Sequence, residues 1–184
     1  MIDEELRIGR AVWRVLAAPG HDPESIVLYQ PDRCLLISVD ALWANGFGVV
    51  FPELTGEPGF DDVERTLHML ASLRVYWVIP GHGAPFSDFE CAVERAFNRL
   101  RNLVADPAKH ARRAAKVLIK FHMLEIQACS LGELDQWLDS TEYLELVRLR
   151  YFARIVPTAW RRELLTELVA NGALAIDGSS LRSI

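Results

Sequence analysis

Ala18-Pro-Gly-His-Asp-Pro-Glu-Ser-Ile-Val-Leu-Tyr29 is the stretch on which the reading of this chain turns. Ala11 to Leu16 before the loop and Ser25 to Tyr29 at its far end are short and rich in β-branched and aromatic residues. The prolines and glycine between them bar any helix, so the stretch reads as strand, loop, strand with His21 at the loop. Gln30-Pro31-Asp32-Arg33 has proline where a type I turn wants it, which folds the second strand back onto Cys34 to Ser38 as a hairpin. That third strand ends in Leu36-Ile-Ser-Val-Asp40. Further on, Val75 to Ile79 reads as a buried strand that Pro80 stops, and Gly81 turns the backbone so that His82 stands at the tip. Three strand ends thus carry His21, Asp40 and His82.

Between them, Ala41 to Phe60 holds glycines 46, 48, 56 and 59 and prolines 52 and 58, the composition of a long shaped loop. Asp61 with Glu64 resembles a capping box, and Val63, Leu67 and Leu70 recur at helical spacing, so a helix is expected over Asp61 to Leu73. The character changes at Phe86, giving an expected boundary between residues 1–86 and 87–184. Ser87 and Glu90 start a helix with Val93, Phe97, Leu100 and Val104 on one face; Asp106-Pro107 ends it and begins the next. Ser130 with Glu133 repeats the capping signal, further helices are expected over Thr141 to Ile155 and Thr158 to Ala170, and Asn171-Gly172 caps the last. Asp177-Gly178 between Ala173–Ile176 and Ser179–Leu181 is a hairpin signal. Helices closed by a small hairpin suggest a winged-helix-like module.

Composition narrows the function. The 184 residues are 51% hydrophobic, enough for a core, and the net charge is −5. Residues 1–87 are acidic and residues 88–184 balanced, so no basic surface argues for nucleic acid. Arg112-Arg113 and Arg161-Arg162 are better explained as solvated helix faces. Cys34, Cys91 and Cys129 lack C-x-x-C spacing and read as reduced, buried small side chains. With no long apolar run and an acidic opening, the chain is expected to be cytoplasmic, with no membrane contact.

Two imidazoles and a carboxylate are the donors a divalent metal such as zinc takes at a hydrolytic site. A carboxylate can bridge two ions while each histidine serves one. Four blocks together resemble the metallo-β-lactamase superfamily of αββα hydrolases: Ala18 to Tyr29 is similar to its T-P-G-H-T-P-G-S block, Leu36 to Leu42 to its strand ending in G-D, Gly46-Phe47-Gly48 to the following loop, and Val78-Ile-Pro-Gly-His-Gly83 to its final histidine motif. The resemblance implies that His21 serves the first metal, Asp40 bridges and His82 serves the second, with zinc, manganese or iron as the metal. Val39 and Glu24 stand where the family keeps glycine, and Asp40 in place of a cysteine points to the glyoxalase-like and phosphodiesterase branches.

The resemblance covers roughly residues 5–88, corresponding to the second half of the family's catalytic domain. The H-x-H-x-D-H motif of its first half does not occur here. The expected fold class is therefore α/β: half of an αββα sandwich followed by a mostly helical, winged-helix-like domain. The resemblance implies hydrolysis of a small-molecule ester, thioester or phosphodiester, weak or absent in this chain. A single ion held by His21, Asp40 and His82 together is a further expectation. Trp43, Phe47 and Phe51 are candidates either for a substrate pocket or for the core. Half a sandwich exposes a sheet face, so association with a second copy or with a complementing first half is expected. The competing reading is a non-catalytic binding or dimerisation module with a vestigial metal site; a winged-helix DNA-binding protein comes third.

Overall fold

The computed structural model describes residues 3–178 and 180–184; Met1, Ile2 and Ser179, and with them the acidic opening's first two residues and the first residue of the hairpin's second arm, lie outside the described residues. The chain divides into two compact units, Met1–Ala105 and Asp106–Ile184.

In the first unit, β1 (Asp3–Ile8), β2 (Ala11–Ala17), β3 (Ile26–Gln30), β4 (Leu35–Val39) and β5 (Trp77–Pro80) form one sheet in that order. The first four pair antiparallel, and β5 lies parallel to β4. The crossover carries α1 (Phe51–Thr55) and α2 (Gly59–Ala71), and α3 (Phe89–Ala105) follows β5. Leu16, Val27, Tyr29, Leu36 and Val78 share one core with Val63, Leu67 and Leu70 of α2 and Phe89, Ala92, Val93, Ala96, Leu100 and Leu103 of α3. This packing places α3 in the first unit, one helix beyond the boundary read at Phe86.

Several expectations shift. β1 went unread because its apolar residues Leu6 and Ile8 are exposed. The turn between β3 and β4 is a 3-10 turn, Pro31–Arg33, closed by Cys34 at φ +50°. The long loop contains α1, and α2 starts two residues before Asp61, with the Glu53 carboxylate accepting from Phe60 N–H at 3.2 Å. The face of α3 is also rotated: Val104 is 56% exposed, and Leu103 takes its place inside. Cys91 is exposed and Cys34 half-buried, whereas Cys129, also half-buried, packs against the core of the second unit.

β5 is not buried on both sides. Val78 is fully buried while Trp77 and Ile79 are exposed, the alternation of a strand with one covered face. Their neighbours continue that outer face: Ile79 pairs with Ile37, Ile37 with Leu28, Leu28 with Val15, and Trp77 with Leu35. The result is an apolar sheet surface opposite the helices.

In the second unit, α4 (Pro107–Ile126), α5 (Leu131–Ser140), α6 (Glu142–Phe152) and α7 (Pro157–Ala170) pack with a small antiparallel sheet of β6 (Ala128–Ser130), β8 (Ser180–Ser183) and β7 (Leu174–Asp177), in that order. Asp106 caps α4 through Lys109 N–H, and Ser130 and Glu133 form the full reciprocal capping box of α5. Trp160, Leu164 and Leu168 bury against Ala115, Ile119 and Met123 of α4. The Lys120 ammonium donates to the Ala173 and Ile184 carbonyls and the Ser183 hydroxyl, each at 2.8 Å, tying the strands to α4. Among the described residues no helix is long and apolar enough to cross a membrane.

Candidate metal centre

The loop between β2 and β3 is held from beneath by α2. Thr66 Oγ1 donates to the Pro19 carbonyl at 2.7 Å, and a side chain at Gly20, whose φ is +144°, would meet Val63 Cγ2 at 2.6 Å. The loop closes through Ala18 N–H to the Ser25 carbonyl, and the Asp22 carboxylate accepts from Glu24 N–H at 2.9 Å. Glu24 itself is exposed and does not take a positive φ, so it fits where a glycine was expected. His21 emerges half-buried, its ring edge-on to Phe51 at 5.3 Å.

A carbonyl oxygen only accepts, so the 2.6 Å contact between His21 Nδ1 and the Val49 carbonyl places a proton on Nδ1. The other ring nitrogen, Nε2, stands 3.7 Å from Asp40 Oδ2. Metal-ligating histidines are oriented in this way, by a carbonyl or carboxylate behind the ring.

Asp40 follows a strained residue. Val39 has φ +46°, a left-handed conformation that is an outlier for a β-branched side chain. The turn is fixed on both sides: Gly81 N–H donates to the Val39 carbonyl at 2.7 Å, Ala41 N–H to Ser38 at 2.9 Å, and Gly48 N–H to the Asp40 carbonyl at 2.9 Å. Gly48 and Gly81 allow the close approach, since a Cβ at Gly48 would stand 2.8 Å from His21 Nδ1 and one at Gly81 would stand 3.2 Å from Asp40 Oδ1.

His82, at the end of β5, brings Nε2 to 3.8 Å from Asp40 Oδ1. Asp40 therefore faces His21 with one oxygen and His82 with the other. The three residues singled out in the sequence meet, as two imidazole–carboxylate pairs sharing one carboxylate. Among the described residues, however, no three His, Cys, Asp or Glu side chains form a group able to hold one ion, so the single-ion arrangement expected from the sequence is not present. His21 and His82 form two separate imidazole–carboxylate pairs with Asp40, each short of the three protein ligands usual at a catalytic zinc.

Trp43 completes the site, and its role was not read from the sequence. Its indole N–H donates to Asp40 Oδ1 and to the Val39 carbonyl, both at 3.1 Å, and its ring lies edge-on to His82 at 5.2 Å. α3 holds this loop: Arg95 Nε donates to the Ala44 carbonyl at 2.7 Å, and the Arg99 guanidinium covers the Phe47 ring at 5.2 Å. Phe47, 2% exposed, belongs to the core and not to a pocket wall. His68, His110 and His122 stay away from the centre: His68 packs on Phe97, His122 stacks on Trp137 at 4.0 Å, and His110 is buried in the second unit.

No protein-family model matches the chain. It is 32% identical over 101 residues to the probable metallo-hydrolase YqjP of Bacillus subtilis (strain 168), a match covering 51% of this chain and 31% of that protein. The chain thus spans less than a third of the curated relative's length. Its whole length superposes on a metallo-beta-lactamase family protein from Thermus thermophilus with a TM-score of 0.50 and 20% identity, covering 53% of that protein. A beta-lactamase domain protein from Burkholderia ambifaria matches 99% of this chain and 50% of its own length, with a TM-score of 0.44 and 18% identity. The Thermus match is a likeness of fold, over about half of that larger molecule.

Proposed function

We propose that this metallo-β-lactamase superfamily chain provides one wall of a metal-dependent hydrolase centre, with His21 and His82 as separate ligands and Asp40 as the carboxylate between them. One observation carries the reading: the two imidazoles address opposite oxygens of a single carboxylate. The histidine anchored on Val49 and the glycines that admit the close approach support it. A bound divalent cation would supply the Lewis acidity and water activation that hydrolysis needs at neutral pH. The chain's own residues orient the donors: Val49 fixes the tautomer of His21, Gly81 and Gly48 lock the Asp40 turn, and Trp43 holds the carboxylate's rotation. An ester, thioester or phosphodiester is the substrate class.

Each half-site has two protein ligands, one fewer than the three usual at a catalytic zinc, so hydrolysis by this chain alone is expected to be weak or absent. Zinc, manganese and iron all take imidazole nitrogen and carboxylate oxygen as ligands. The outer sheet face provides the surface through which a second copy, or a complementing half, would cover the sandwich, and the second unit is read as a winged-helix-like module. A non-catalytic binding module is the competing reading, favoured by that same apolar face and two-ligand count. Calorimetric titration with Zn²⁺ separates them: binding by the wild type that disappears in Asp40→Ala is the expected result. Equal heats from both proteins, or none from either, would remove the metal centre from the account.

A further inference from the structure

The five-stranded sheet ends in two edges that are finished differently. Beyond β5, the chain folds back on itself: Val78 N–H donates to the Phe86 carbonyl at 2.8 Å and Phe86 N–H to the Val78 carbonyl at 3.0 Å, which closes that edge. Beyond β1, no strand pairs among the described residues. β1 also lacks most of the devices that blunt an open edge. It is six residues long, contains no proline, glycine or lysine, and runs from Asp3 opposite Leu16 to Ile8 opposite Ala11 without a bulge. Residues 4–8 are all exposed. Side chains alternate along the strand, so Leu6 and Ile8, opposite Trp13 and Ala11, extend the apolar outer face, while Glu5 and Arg7 stand on the helix side, opposite Arg14 and Val12.

We infer that β1 is a pairing edge for a second copy of this chain: two β1 strands join antiparallel about a two-fold axis at Leu6, fusing two sheets into one. Charge selects this register. Keeping the apolar faces of both copies together requires the pairing to centre on Glu5, Leu6 or Arg7, because a slip by one residue exchanges the faces. A centre on Glu5 sets that carboxylate against its own counterpart, and a centre on Arg7 does the same with guanidinium groups; like charges directly opposite are destabilising. A centre on Leu6 instead places Glu5 of each copy opposite Arg7 of the other, two unlike pairs on one face, with Leu6 against Leu6 on the other face. The open backbone groups of the two edges then satisfy each other, as in strand addition to a sheet. This pairing needs no metal, and it is separate from any contact through the outer sheet face.

Sedimentation velocity over about 1–500 µM, a range suited to weak specific association, tests it. Glu5→Arg and Arg7→Glu each turn both unlike pairs into like ones, so each alone should weaken wild-type dimerisation by at least about tenfold. Mixed in equal amounts, the two variants again set unlike charges opposite at both positions, and a heterodimer of about wild-type affinity should form. Variants that had simply failed to fold could not recover on mixing. Trp77→Lys, which acts on the outer sheet face, should leave that recovery intact. A wild type that is monomeric throughout the range, or a mixture no more associated than its separate components, overturns the pairing of β1 edges. Association that disappears in Trp77→Lys but is unchanged in both charge variants overturns it equally and assigns the contact to the outer face.

Discussion

Gly48→Ala tests the geometry of the centre without removing any proposed ligand. The added methyl would lie 2.8 Å from His21 Nδ1, 3.1 Å from Asp40 Cβ and 3.4 Å from the Asp40 carbonyl oxygen. Comfortable separations between such atoms are about 3.5–4.0 Å, so the imidazole must retreat by more than about half an ångström or the Asp40 turn must open. Retreat sacrifices the 2.6 Å bond to Val49, worth about 1 kcal/mol, and overpacking of this kind costs about 1–3 kcal/mol in all. Taking about 1–2 kcal/mol, because half-buried His21 can swing outward, and the roughly 4–8 °C per kcal/mol typical of a unit this size, the first unit's Tm should fall by roughly 4–16 °C. Zn²⁺ affinity should fall about 10–100-fold, the usual consequence of disorienting a ligating histidine. Near-UV circular dichroism melts and calorimetric titration measure the two effects. Gly132→Ala is the control, since a methyl there meets nothing within 4 Å and a helical alanine is favoured by up to about 1 kcal/mol. Wild-type melting together with wild-type Zn²⁺ binding in Gly48→Ala would refute the close approach of the His21 and Asp40 loops.

Two further outcomes are expected. In the second unit, the Lys116 ammonium and then the Arg112 guanidinium hold the Glu167 carboxyl below its usual range, with contacts of 2.7 Å to each. A depressed folded pKa contributes stability above the unfolded value of 4.5, and this is lost as pH falls through the folded value. Glu167→Gln should therefore be less stable than the wild type by up to about 1 kcal/mol at pH 7, a small figure because the pair is partly exposed. The gap should close on acidification below the carboxylate range; denaturant melts showing a gap that widens there would contradict the assignment. On the outer sheet face, the chain should self-associate at about tens of micromolar and Trp77→Lys should shift it toward monomer; a wild type that scatters light as a monomer throughout that range rules out pairing of copies by this face.

The hairpin strands, the capping box at Ser130–Glu133 and the helix junction at Asp106-Pro107 were legible in the sequence because each is specified by neighbours a few residues apart. β1 was not, since its pattern depends on pairing with β2 across Gly9-Arg10 and its apolar side chains stay exposed. The face of α3 was misjudged by one position because helical spacing admits both Val104 and Leu103, and only packing against α2 chooses between them. Phe47 shows the same limit: beside the Asp40 loop, an aromatic residue could line a pocket or plug the core, and Arg99 and the core decide.

By itself, the sequence determined that the three proposed donors, His21, Asp40 and His82, stand at strand ends, since proline, glycine and β-branched residues impose local backbone geometry whatever surrounds them. Tertiary structure alone decided how those donors meet. The parallel pairing of β4 with β5 brings His82 to one oxygen of Asp40, the Val49 carbonyl turns His21 toward the other, and the Trp43 indole takes a place between them. These are contacts between distant parts of the chain, set by register and packing, and no short-range preference encodes them.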